Sequence, residues 1–158
     1  MSADADLTTI VIHAEAALRR KRDTLEALDR RRPDHDDLPP SIAVGEASQG
    51  ALSLFLAIEA ATRFCSRYPT PGPLGRRRLA ALLTSTRHLR DAVMHWDEKG
   101  RRAETLLRVD GRGIAVVAPP HGSFVSIVDG LGWKEYENAA GGLLTWARHM
   151  WELPADEV

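Results

Sequence analysis

The stretch Thr84-Ser85-Thr86-Arg87-His88-Leu89-Arg90-Asp91-Ala92-Val93-Met94-His95-Trp96-Asp97-Glu98 carries the most informative chemistry in the chain. At about 100° per residue, a helix brings Thr84, Arg87, His88, Asp91 and His95 to one face, opposite the leucines. Asp91 and His95 stand one turn apart. A carboxylate beside an imidazole fixes its tautomer and favours its charged form, as in pairs where histidine acts as general acid or base. The same pair suits an exposed helix face, where it is worth roughly 0.3–0.5 kcal/mol. Arg90 falls on the apolar stripe with Leu79, Leu83 and Val93, so its guanidinium must find an anion. Asp97, Glu46 and Glu59 are the candidate partners; a snorkelling stem or a subunit interface are the other solutions. Taken alone, these residues favour a structural ion pair.

Other groups carry weaker chemistry. His95-x-x-Glu98 and His149-x-x-Glu152 could each present an imidazole and a carboxylate, but in the reverse order of the Glu-x-x-His of di-metal bundles. Glu15, Glu46 and Glu59 would have to complete such a site, so neither a metal nor another cofactor is expected. Asp34-His35-Asp36-Asp37 reads as a solvated acidic loop, and Cys65 as a core residue. The chain has no glycine-rich phosphate loop, serine elbow or zinc-spaced cysteine set. Arg76-Arg77-Arg78 opens the helix that holds segment 84–98, and Arg101-Arg102 follows it. Arginines bracketing the segment suit phosphate attraction, and those at the helix start oppose the helix dipole. A solvated basic face is the plainer reading, since Arg19-Arg20-Lys21-Arg22 is just as basic.

The elements that must position these residues follow from spacing. Leu7, Ile10, Val11, Ala14, Ala17, Leu18, Leu25 and Leu28 predict an amphipathic helix over residues 7–30. A proline- and aspartate-rich loop follows, and Ser41 can cap a second helix running to residue 68, apolar nearly all round at residues 51–58 and therefore central. Pro69, Pro71, Gly72 and Pro73 end it. A third helix is expected over 74–99, with Leu79, Leu82, Leu83, Leu89, Val93 and Trp96 inward and Gly100 as its C-cap. The pattern then turns extended over 104–128, with turns at Asp110-Gly111 and His121-Gly122, predicting a small antiparallel meander. Helical spacing returns over 133–152, with a bend expected at Gly141-Gly142; the aromatic residues of this last helix are core anchors or an exposed edge for association.

Composition sets the class. The 158 residues, 44% hydrophobic and 27% charged, suffice for one ordinary globular domain and exclude a disordered or fibrous chain. The apolar runs are shorter than the ~20 residues of a membrane span. A formal net charge of −1 denies a globally basic surface, so nucleic acid could be met only by patches. The acidic start lacks the pattern of a secretory signal, and a cytoplasmic protein with no membrane partner is expected.

Leu89-Arg90-Asp91-Ala92-Val93-Met94-His95-Trp96-Asp97-Glu98 resembles the Arg-Asn-x-x-x-His-Phe-Asp-Glu segment of bacterial HEPN-like helical proteins, near the end of a long helix that two others precede. The likeness spans the fifteen residues from Thr84 to Glu98, with the architecture extending it to roughly the first hundred. It implies a mostly α, HEPN-like bundle, here with a β meander before the last helix, that forms a homodimer with two motifs facing a shared cleft. Active relatives are metal-independent endoribonucleases. Carried over, His95 takes the proton of a ribose 2′-hydroxyl, Arg90 neutralises the phosphorane and Asp91 orients both. Arg87, His88, Arg76, Arg77 and Arg101 would then bind RNA. Toxin relatives often have Tyr two residues after the His, where this chain has Asp97. Beyond RNA, a cognate antitoxin or another protein is the partner implied. The alternative is a non-catalytic interaction or regulatory module in which Asp91, His95 and Arg90 only stabilise their helix.

Overall fold

A computed structural model describes residues 2–30, 41–68, 72, 74–94, 107–117 and 127–153. The chain is mostly helical. Helix α1 spans Ser2–Asp29, α2 Ser41–Arg67, α3 Arg76–Met94 and α4 Trp133–Glu152; strands β1 (Leu107–Asp110), β2 (Gly113–Val117) and β3 (Ile127–Gly132) lie between α3 and α4. The expected helical bundle with a small antiparallel sheet before its last helix is the fold observed.

α2 is the central helix, as its apolar composition predicts. It buries Ala47, Ala51, Leu54, Phe55, Ala57, Ile58, Ala61 and Phe64, and packs against α1, α3, α4 and β1. α1 offers Leu7, Ile10, Ala14 and Ala17 to this core, and small residues on both helices let the backbones approach closely. Buried Thr24 and Thr86 donate to the carbonyls of Arg20 and Leu82, each at 2.6 Å, so neither hydroxyl is left unsatisfied. α1 begins at Ser2 rather than residue 7. Asp6, 6% exposed, is held by Arg63 at 3.3 Å and Arg67 at 3.5 Å from the end of α2.

The sheet has the order β1-β2-β3, all antiparallel. Period-two alternation puts Leu107, Val109, Ile114 and Leu131 on the buried face, against α2, α3 and α4. At the Asp110-Gly111 turn, Asp110 Oδ1 accepts from the N–H of Arg112 at 2.7 Å and of Gly113 at 3.3 Å. This side-chain closure replaces a positive-φ turn: among the described residues only Gly75 has a positive φ. The third strand departs from expectation, lying at Ile127–Gly132 rather than ending at residue 128. β2 and β3 run so close that a Cβ on Gly113 would fall on the Leu131 carbonyl oxygen and 2.7 Å from Gly132 Cα. The His121-Gly122 turn lies outside the described residues, as does the acidic loop at 34–37.

α4 is unbroken through Gly141-Gly142. Its start is tied to the β1–β2 turn, where Trp133 donates its backbone N–H to Arg112 O at 2.9 Å and its indole N–H to Asp110 O at 2.8 Å. Trp133 and Tyr136 are buried, while Trp151 is 55% exposed, so the aromatics divide into core anchors and one exposed ring.

Candidate functional site

α3 is amphipathic in the sense its sequence predicts. Leu79, Leu82, Thr86 and Leu89 are buried, and Arg76, Arg77, Arg78, Arg87 and His88 are exposed. Asp91 is the single carboxylate in α3 against Arg76, Arg77, Arg78, Arg87 and Arg90, so this helix is cationic on a chain that is nearly neutral overall. His95 and Arg101 lie outside the described residues, together with Trp96, Asp97, Gly100 and Arg102. The expected contact of Asp91 with His95 falls there too.

Arg90 settles its charge in a way the sequence reading missed. Its Nε and Nη2 donate to Asp91 Oδ1 at 3.0 and 2.6 Å, and its guanidinium carbon stands 4.6 Å from the centroid of the Phe55 ring. Of the expected partners, Glu46 pairs with Arg20 at 2.6 Å and Glu59 with Arg63 at 3.0 Å, while Asp97 lies outside the described residues. Adjacent residues do not share a helix face, but the long arginine stem curls back far enough to reach the neighbouring carboxylate. Phe55, 2% exposed on α2, supplies the rest. Its π-face takes the cation, so arginine can sit on an apolar stripe without a buried acid beneath it. In the sequence Phe55 is one apolar residue among many, and only the packing of α3 on α2 brings the ring under Arg90.

The resulting unit is partly open to water, with the Arg90 and Asp91 side chains 35% and 45% exposed. A guanidinium with one face on an aromatic ring and one edge on a carboxylate has a defined orientation. An anion reaching its exposed side would meet donors already ordered, at little further entropic cost.

Among the described residues, the remaining acids and thiol do not compose a second site. Glu15, of the entertained di-metal set, pairs with Arg148, and no group of three potential ligands is found among the described residues. Burial pushes the Cys65 thiol above its ordinary value against the opposing charge of Arg76, which disfavours the thiolate needed for nucleophilic chemistry. The strongest shift belongs to Tyr136, whose phenol burial drives well above the usual range. Its hydroxyl donates to Ala17 O at 2.7 Å, a structural role. The chain matches no family model, no curated protein and no solved structure.

Proposed function

We propose that the protein is a HEPN-like RNA-binding protein and a metal-independent endoribonuclease. The observation that carries this reading is the preorganised, partly exposed Arg90 guanidinium, held between Asp91 and Phe55 on a cationic helix, five residues before His95. His95 accepts the proton of a ribose 2′-hydroxyl while the freed oxygen attacks phosphorus; the bond from phosphorus to the 5′-oxygen breaks, and that oxygen takes a proton from water. Arg90 neutralises the charge that develops on the phosphoryl oxygens, and Asp91 fixes its orientation. The products are a 2′,3′-cyclic phosphate and a 5′-hydroxyl. Arg76, Arg77, Arg87, His88 and Arg101 attract the RNA backbone.

The test is incubation of the purified protein with mixed RNA in EDTA, with analysis of the product ends. Arg90→Lys keeps the charge but loses the planar fork, and should lower cleavage by about a hundredfold or more without unfolding the protein. His95→Ala should remove cleavage. Activity that survives both substitutions, or that EDTA abolishes, would refute the assignment.

A second reading, a non-catalytic interaction module, draws on the engagement of Arg90 by Asp91 and Phe55 and on the exposure of Trp151. Intact RNA, together with a marked loss of melting temperature in Arg90→Ala, would select it.

A further inference from the structure

The outer seam of α1 and α4 forms a groove of about 390 Å³, lined by Thr8, Val11 and Ile12 from α1 and by Arg148, Trp151 and Glu152 from α4. It shares no residue with the Arg90 unit. Ile12 and Trp151, each 55% exposed, are among the largest apolar side chains left in water, and both line this groove. Isolated apolar residues on a surface are ordinary; an exposed tryptophan beside an exposed isoleucine in a concavity is the composition of an interface centre.

The charges around the groove suggest which occupant it takes. Arg148 and Glu152 are one helical turn apart and opposite in sign, and Trp151 lies between them in sequence. If two copies of α4 cross antiparallel about a twofold axis level with Met150, Arg148 of each copy faces Glu152 of the other. Trp151 of each then enters the groove beside Ile12 of the other. A twofold interface must be complementary to itself, and this arrangement of opposite charges about an apolar centre meets that condition. Arg148 already donates to Glu15, but a guanidinium has five N–H donors, so one bond does not exhaust it.

We propose that the α1–α4 groove, centred on Ile12 and Trp151, is the surface through which two copies of this chain associate. This differs from the shared-cleft dimer implied by the family resemblance, which would bring α3 to the interface. It is also independent of the ribonuclease reading, since association and cleavage are measured separately.

Sedimentation over about 1–200 μM protein should show the wild type passing from monomer to dimer. Trp151→Glu should remain monomeric with unchanged circular dichroism. Arg148→Glu and Glu152→Arg place like charges across the axis, so each alone should associate at least tenfold more weakly. Mixed in equal amounts, they should recover dimer, because each heterologous pair restores both attractions; that recovery cannot come from contacts inside one chain. A wild type that stays monomeric throughout, single variants that associate as the wild type does, or a mixture that fails to recover would overturn the proposal. The first outcome would leave the groove to a different protein.

Discussion

Tyr136 is the residue whose titration reports on the fold. Fully buried, it keeps its proton in the native state at a pH where the unfolded chain, with an ordinary phenol near pH 10, begins to lose it. The unfolded state then binds fewer protons than the native one, so stability falls as pH rises above about 10, by roughly 1.4 kcal/mol per unit for this group. Below that value its contribution is fully present. Tyr136→Phe should start about 1 kcal/mol less stable, from the lost hydrogen bond to Ala17, and should fall less steeply with alkaline pH. Denaturant titrations at about pH 8 and pH 11 compare the two slopes, and equal slopes would contradict the assignment. The inward position of Tyr136 was legible in the helical spacing; its partner, on a helix far away in sequence, was not. Arg90 teaches the same lesson. Its misfit on the apolar stripe was visible, whereas its resolution by Asp91 and Phe55 depended on a side-chain path and an interhelical contact.

At the scale of elements, the seam of α1, α2 and α4 is closed by a glycine. A Cβ on Gly50 would lie 2.5 Å from the Tyr136 hydroxyl and 3.1 Å from Arg20 Cβ, so α2 must be bare where the phenol passes to reach α1. Arg20, Lys21 and Arg148 then tie α1 to Glu46, Glu137 and Glu15, the last a tie from α4 back to α1. The hydrogen bond that Arg20 donates to Glu46 raises the Arg20 pKa against desolvation, in keeping with a permanent charge at this seam. Gly50→Ala should cost about 2 kcal/mol, because the tyrosine must give up its bond to Ala17 or the helices must part. In a Tyr136→Phe background the clashing oxygen is gone, so the same substitution should cost clearly less. Thermal or denaturant melts of the two single variants and the double variant form the cycle, and strict additivity would refute the close approach. Gly50 sits in a helical pattern and carries no sequence signal for this role.

For the whole molecule, the two candidate surfaces have separate residues: the cationic face of α3 with Arg90, and the groove of α1 with α4. Arg148→Glu should therefore weaken association while leaving cleavage of RNA at the wild-type rate, measured at a concentration where the wild type is dimeric. A parallel loss of both would mean that the proposed ribonuclease site requires the second copy. The helices, their inward faces, the central place of α2 and the small sheet ahead of α4 were determined by the sequence itself, because hydrophobic periodicity and proline or glycine punctuation act over a few residues. Exposure of Arg87 and His88 followed from the same periodicity. Only tertiary structure decided that Phe55 supports Arg90, that Glu46 and Glu59 serve other arginines, that Gly50 and Gly113 mark close approaches, and that Ile12 and Trp151 line one groove. Each of these joins residues distant along the chain or chooses among several reachable partners, and such choices are made by the packing of whole elements, which local patterns do not encode.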